Sequence, residues 1–291
     1  MYMCFNFKKS VIVASSIILS ILCCTLGFNL IYSRADTDKG IFLPVIMYHS
    51  IIDDVSQIND YVVTPQIVES DFEYLKSHGY ETVTIQNLLD YIQNDVKLPE
   101  KPVLITVDDG FYNNYCYLVP LLQKYDYSAI ISFVGEYTDI TAVNDPHVPE
   151  YSYCTWEDIK NMLDTNTIEL GNHTYSMHDN SVRKGCSKLS YETEEQYKSV
   201  LISDVGKLQQ EFHEHIGKTP KVFAYPFGYI SKESVPILKN LGFKATLNCY
   251  EKPNYIVKDL NCLFGLNRYN RSANYSTNDY MKKLLGEFYE D

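Results

Sequence analysis

The stretch Lys101-Pro102-Val103-Leu104-Ile105-Thr106-Val107-Asp108-Asp109-Gly110 decides how the rest of the chain is read. Val103 to Val107 is a short, apolar, β-branched run bounded by Pro102 and Gly110, the pattern of a strand buried on both faces. Two carboxylates follow at once, at the C-terminal mouth of that strand, where α/β folds place their chemistry. Crowding two carboxylates there is costly unless a cation or hydrogen-bond donors offset the charge. Asp-Gly after a strand is also ordinary turn punctuation. A second cluster, His173-Thr174-Tyr175-Ser176-Met177-His178, follows another short apolar strand and shifts the reading from turn to site.

Outward from this stretch, strand and helix signals alternate. Strands are expected at Phe42 to Tyr48, Glu81 to Thr84, Val103 to Val107, Ala129 to Val134, Thr167 to Leu170, Val222 to Tyr225, Lys244 to Leu247 and Phe264 to Arg268. Helices are expected at Gln66 to His78, closed by Gly79, and at Gln86 to Asn94. A third spans Tyr112 to Tyr125, interrupted by Pro120. Thr155-Trp156-Glu157-Asp158 reads as a capping box opening a helix to about Leu163. Thr193 to His215 is the longest helix, with Val200, Leu201, Val205, Leu208 and Phe212 on one stripe. Val235 to Leu241 and a segment from Thr277 complete the set, and the polar segment Asp179 to Ser190 reads as a surface insertion. Such alternation implies a parallel sheet, and this many units implies closure: a distorted, TIM-like (β/α) barrel of about seven parallel strands.

The chain opens with a different composition. Lys8 and Lys9 precede an uncharged stretch from Ser10 to Ser33, rich in Ile, Leu, Val, Ala and Cys. Spanning a bilayer takes about 20 mainly apolar residues, and the small-residue cleavage signal of a secretory leader is poor around Ser33-Arg34-Ala35. The expected organisation is a short cytoplasmic segment 1–9, an uncleaved transmembrane anchor 10–33, a linker 34–41 and one large extracytoplasmic domain 42–291. The alternative is secretion after cleavage. A net charge of −12 argues against nucleic acid as a partner. Beyond the anchor, Cys116, Cys154, Cys186, Cys249 and Cys262 form an odd set without CxxC spacing, which argues against thiolate zinc and a disulfide framework. A Cys249–Cys262 pair stays open.

Asp108, Asp109, His173 and His178 then form one polar set at strand mouths. Imidazoles and a carboxylate suit Zn²⁺ or another divalent transition metal such as Co²⁺ or Ni²⁺, and two His with one carboxylate leave coordination positions open. The spacing of the two histidines does not put both on one helical face, so a loop must bring them together. His78, His147, His213 and His215 read as polar surface.

With those residues in place the chain resembles the NodB-type polysaccharide deacetylases, carbohydrate esterase family 4. Thr106-Val107-Asp108-Asp109-Gly110 is similar to the family's T-F-D-D-G motif, with Val107 in place of Phe. His173-Thr174 through His178 resembles its paired-histidine motif, with one residue more than the commonest spacing. Phe223-Ala224-Tyr225-Pro226-Phe227-Gly228 resembles the third motif, except that Ala224 stands where many members carry Arg. The resemblance implies Asp109, His173 and His178 as metal ligands and Asp108 as general base. Tyr225, Pro226 and Phe227, with Trp156, are candidates for the substrate groove, although aromatic residues near a barrel mouth are as often core.

Two departures shape the expectations further. The family's usual C-terminal general-acid His has no counterpart, because no His follows His215. Instead, Pro44-Val45-Ile46-Met47-Tyr48-His49-Ser50 resembles the circularly permuted branch that acts on poly-N-acetylglucosamine, which implies His49 as the acid. Arg268, at the end of the last expected strand, can replace the missing Arg in holding Asp108 ionised. The function implied is metal-dependent N-deacetylation of N-acetylglucosamine residues in an extracellular glycan, either an exopolysaccharide or peptidoglycan. The competing readings are a non-catalytic glycan binder on the same fold, and a deacetylase of small amide or O-acetyl substrates.

Overall fold

The buried run Pro102–Val107 pairs in parallel with a strand on each side and anchors the main sheet. A computed structural model describes the chain over residues 40–144 and 147–286. The expected segment 1–9, the transmembrane anchor at 10–33 and all but the last two residues of the expected linker 34–41 lie outside those residues. No helix among the described residues is long and apolar enough to cross a membrane. Residues from Phe42 onward form one compact unit.

In chain order the strands are β1 (Ile41–Phe42), β2 (Val45–Tyr48), β3 (Ser50–Ile51), β4 (Val62–Val63), β5 (Glu81–Thr82), β6 (Pro102–Val107), β7 (Ala129–Phe133) and β8 (Ile168–Asn172). They continue with β9 (Val222–Ala224), β10 (Ala245–Leu247), β11 (Tyr255–Ile256), β12 (Phe264–Leu266) and β13 (Tyr269–Asn270). The helices are α1 (Pro65–Ser77), α2 (Ile85–Asn94), α3 (Val119–Tyr125), α4 (Gly135–Asn144), α5 (Trp156–Asp164), α6 (Glu194–Ile216), α7 (Ser234–Asn240) and α8 (Thr277–Leu285).

The main sheet runs in the order β12-β10-β9-β8-β7-β6-β2-β13, with β5 added beside β6. Every pairing in it is parallel. The two edges of this path, β12 and β13, are consecutive in sequence and separated only by Asn267 and Arg268. Three residue steps span at most about 11 Å, so the backbone itself crosses the open seam. The result is a parallel half-barrel wrapped by helices, its edges joined by a covalent bridge in place of a hydrogen-bonded ladder. The expected strand Phe264 to Arg268 therefore stops at Leu266, because Asn267 and Arg268 make the crossing and Tyr269–Asn270 pairs with β2.

Local sequence accounts for the elements. β6 is buried at every position, as its unbroken apolar run requires. Thr64, Thr84, Thr155 and Thr193 each cap a helix by accepting a backbone N–H, the last three in full capping boxes. The buried stripe of α6 is Tyr197, Leu201, Val205, Leu208 and Phe212. Val200 faces outward, one residue off the expected face. The helix expected from Tyr112 begins as a π-helical turn over Asn114–Leu118 before α3, where Pro120 sits harmlessly in the first turn. The Asp179 to Ser190 insertion has no regular structure, yet it is not merely surface. Cys186 is fully buried, its carbonyl accepts from the Tyr197 hydroxyl at 2.7 Å, and Arg183 pairs with Glu192.

A second buried ion pair lies away from the strand mouths. Asp71 of α1 accepts from Arg271 Nε at 2.7 Å, from the Tyr48 hydroxyl at 2.8 Å and from Thr277 Oγ1 at 2.8 Å. It fastens α1 to β2 and to the segment that opens α8.

Candidate active site

The C-terminal mouths of β2, β6 and β8 and the loop after β9 open onto one cavity of about 640 Å³. Its lining includes His49, Asp108, Asp109, His173, His178 and Phe227. The two carboxylates at the end of β6 diverge because Asp109 takes a left-handed backbone, φ 73°. Gly110 follows at φ 73°, and a Cβ there would meet the Phe133 ring at 2.4 Å, so only glycine fits beneath the turn. Thr174 (φ 74°) and Phe227 (φ 57°) are left-handed too. Left-handed non-glycine backbone thus occurs on three of the four segments that meet at the cavity, as where geometry is held for chemistry, and also at Asp95, Asp126, His147 and Asn166 away from it.

Asp109 turns toward the histidines. Its Oδ1 lies 3.2 Å from His178 Nε2 and 3.6 Å from His173 Nε2. One ligating atom from each of the three residues falls within 4.8 Å of the others, a group able to hold a metal ion. His173 is oriented to ligate, since its Nδ1 lies 2.9 Å from the Ala224 carbonyl and the Nε2 lone pair is left free. Burial lowers the pKa of His173, against the pull of Asp108, and so favours the neutral imidazole that ligation needs. For Asp109, burial opposes ionisation, but the hydrogen bond from His178 and the nearby imidazoles outweigh it and hold its pKa below the ordinary value. The donor set, the fixed tautomer and the convergence of ligand atoms fit a zinc-like divalent ion.

Asp108 turns the other way. Arg268 donates from Nη1 to Oδ1 and from Nη2 to Oδ2, both at 2.7 Å, and neither side chain is more than 3% exposed. Burial by itself would raise the carboxyl; Arg268, helped by His173 and His49, outweighs it and holds Asp108 well below the ordinary carboxylate range. The guanidinium is held in turn by the Asn248 carbonyl, 2.8 Å from Nε. The residue at the seam of the sheet is therefore the one that neutralises the first aspartate.

His49 sits at the mouth of β2, across the cavity. Its carbonyl accepts from Asn114 Nδ2 at 2.8 Å, and Tyr61 packs edge-on to its ring at 5.1 Å. Its Nδ1 is buried with no hydrogen-bond partner among the described residues. Phe227 stands 45% exposed, its ring 4.7 Å from that of His178.

Other expected groove residues are placed elsewhere. Tyr225 is fully buried in a cluster with Phe223, Leu201 and Phe243, and its hydroxyl is 2.6 Å from Ser234 Oγ. Pro226 is buried as well and does not line the cavity. Both residues lie past the end of β9, where the chain enters a tight turn over Pro226–Gly228, so continuity of a motif does not bring each member to the surface. Trp156 packs into the core, with its indole N–H on Asp139 at 2.9 Å. His147 is tied to Asp158 at 3.0 Å. Cys249 and Cys262 are both free thiols, and Cys249 lines the cavity beside Arg268. The backbone N–H groups of Asp108, Tyr112 and Tyr225 donate to the Tyr48, Ser152 and Leu247 carbonyls.

Several cavity residues carry no signal in the sequence. Tyr61, Asn180, Glu251 and Asn270 are part of the lining, each from a loop or strand end with no motif of its own. Tyr137 of α4 packs against the His178 ring at 5.8 Å.

A family model described as polysaccharide deacetylase matches residues 95–246, a little more than half of the chain. The chain is 24% identical over 217 residues to a poly-beta-1,6-N-acetyl-D-glucosamine N-deacetylase of Escherichia coli K12, a match covering 68% of this chain and 32% of that protein. It is 27% identical over 196 residues to the protein of the same name from Staphylococcus aureus MRSA252, covering 67% of this chain and 64% of that one. The chain thus spans about a third of one relative and just under two thirds of the other. Among solved structures, a de-N-acetylase from Aggregatibacter actinomycetemcomitans superposes with a TM-score of 0.69 at 24% identity, over 82% of this chain and all of that one. IcaB from Ammonifex degensii superposes with a TM-score of 0.68 at 23% identity, over 84% of this chain and 98% of that one. These two likenesses show a shared fold. Since the family model covers more than half of its length, the chain belongs to the polysaccharide deacetylase family.

Proposed function

We propose that the protein is a metal-dependent N-deacetylase of N-acetylglucosamine residues in an extracellular glycan, a poly-N-acetylglucosamine-like polymer in preference to peptidoglycan. The observation that carries this reading is the division of labour between adjacent carboxylates: Asp109 faces His173 and His178, while Asp108 is locked to Arg268 and remains ionised. A purely binding protein has no need of that separation. The names of the relatives favour the β-1,6-linked polymer.

Asp109, His173 and His178 would hold the ion, with Zn²⁺ best matched to the donors and Co²⁺ or Ni²⁺ as substitutes. When bound, such an ion polarises the acetamide carbonyl and makes water at the site more acidic. Asp108 takes a proton from the attacking water, whose oxygen adds to the carbonyl carbon. Arg268 keeps Asp108 charged and oriented for that transfer. His49 gives a proton to the sugar nitrogen as the C–N bond breaks, and acetate and a free amine leave. Phe227, exposed at the rim, offers a face for a sugar ring. On the same reading the apolar segment 10–33 tethers the enzyme to the cell membrane with its catalytic domain outside.

The test is acetate release from poly-β-1,6-N-acetylglucosamine, chitooligosaccharides, peptidoglycan and acetylxylan, before chelation, after it and after zinc is restored. Zinc-restored release from the amide polymers supports the proposal. Bound zinc with no turnover on any N-acetylated glycan would establish the binder instead, and preference for acetylxylan would establish an O-deacetylase.

A further inference from the structure

The loop that carries the chain from His173 to His178 is held in shape from outside the cavity. Thr174, the first residue of that loop, is left-handed at φ 74°, and its N–H donates to Asn172 Oδ1 at 2.9 Å. The Thr174 and Tyr175 carbonyls accept from the Gly135 and Glu136 N–H groups at the start of α4, at 3.1 and 2.9 Å. From the opposite side Asp204 of α6 receives the Tyr175 N–H on Oδ1 at 2.9 Å, the Ser176 N–H on Oδ2 at 2.9 Å and the Ser176 hydroxyl at 3.0 Å. Lys207, one turn further along α6, stands over the Tyr175 ring at 3.2 Å, and the Tyr175 hydroxyl donates to Asp139 at 2.9 Å.

We propose that Asp204 is a positioning residue for the metal site, setting where His178 stands relative to His173 and Asp109. The inference rests on the reading of those three residues as metal ligands. The two histidines differ in how they are held. His173 is 2% exposed, follows β8 directly and is fixed by the Ala224 carbonyl. His178 is 16% exposed, and its contact with the Tyr137 hydroxyl at 3.5 Å is long for a hydrogen bond. The place of His178 therefore depends on the loop, and the carboxylate of Asp204, with Lys207 over the Tyr175 ring, ties the middle of that loop to a long helix. Charge-assisted bonds to two successive N–H groups are strong and directional. They also oppose relaxation of the left-handed turn at Thr174, which persists only where surroundings over-determine it. No sequence pattern points to Asp204, because it borders the buried stripe of an amphipathic helix, a position where acidic residues are ordinary.

The experiment is a metal titration of the chelator-stripped full chain, following Co²⁺ absorption directly and Zn²⁺ by competition, for wild type, Asp204→Ala and Asp204→Asn. Asp204→Ala is expected to weaken metal binding about ten- to a hundredfold, as loss of an outer support typically does. Its Co²⁺ spectrum should shift, and hydrogen exchange at Tyr175 and Ser176 should quicken. Asp204→Asn keeps one acceptor and should lose less. Should Asp204→Ala fail to fold, Asp204→Asn carries the test with the same readouts. A folded Asp204 variant with wild-type affinity, spectrum and loop exchange overturns the proposal and makes the residue a stability tie only. Wild type that binds no metal overturns the ligand assignment itself, and the role of Asp204 falls with it.

Discussion

Arg268 and Asp108, 160 positions apart in the chain, meet as a two-pronged ion pair with both N–O distances at 2.7 Å and almost no solvent contact. Removing one member of such a pair strands the other charge in a poorly hydrated place, at a typical cost of about 3–5 kcal/mol. Arg268→Gln is therefore expected to lower unfolding stability by that order and to reduce kcat while metal content stays near wild type. Urea denaturation and metal analysis on the same sample check both halves. Full activity in Arg268→Gln would remove the residue from the mechanism.

The adjacent carboxylates should separate cleanly by mutation. Asp108→Asn is expected to retain metal and lose about 10²–10⁴ in kcat, the usual contribution of a general base. Asp109→Ala, His173→Ala and His178→Ala should each lose metal and activity together. Metal-to-protein ratios alongside acetate release distinguish the classes, and Asp108→Asn with undiminished kcat would refute the base assignment.

His49→Ala should leave metal content intact and slow the step in which the amine departs. An activated substrate whose leaving group needs no proton should be spared relative to N-acetylglucosamine. Equal losses on both substrates would move the acid elsewhere.

Asp71 offers a control remote from the chemistry. Asp71→Ala leaves Arg271 without its carboxylate and Tyr48 and Thr277 without an acceptor. Stability should fall by about 3–5 kcal/mol, while kcat per folded, metal-loaded molecule stays unchanged. Chemical denaturation and active-site titration together test this.

Glu169 gives a pH dependence of defined sign. Burial raises its pKa, with the hydrogen bond from the Ile85 N–H and the charge of Lys221 only partly offsetting the rise. A carboxyl with a raised folded pKa stabilises the fold below its unfolded pKa, about 4.3, and that contribution disappears as pH climbs through the folded value. Glu169→Gln keeps an acceptor for Ile85 and removes the charge. Relative to wild type it should gain stability at neutral pH and lose that advantage near pH 4, by urea denaturation across the range. A variant less stable than wild type at pH 7 contradicts the sign.

The strands are legible in the sequence because their apolar runs are bounded by Pro, Gly and polar turns, and the cluster of Asp109, His173 and His178 is legible because its members stand at two strand ends. Other features leave weaker traces. Helix α4 has no apolar stripe, burying Gly135, Thr138 and Thr141, so periodicity does not find it. Strand β13 is two residues long and is defined by its partner β2 and not by its own composition. Motif continuity puts Tyr225 and Pro226 in the groove, whereas burial follows the direction of each side chain. The lining from Glu251 and Asn270 depends on long-range closure that no local pattern encodes.

The seam of the sheet carries a temporal consequence. Asp108 leaves the ribosome early, while its cationic counterpart emerges 160 residues later. Until the crossing closes the gap between the two edges, a nascent chain holds an acid that must stay hydrated or take up a proton. A chain that ends before that segment lacks the guanidinium partner of Asp108, and fragments ending before Phe264 should therefore be inert however well their earlier strands assemble.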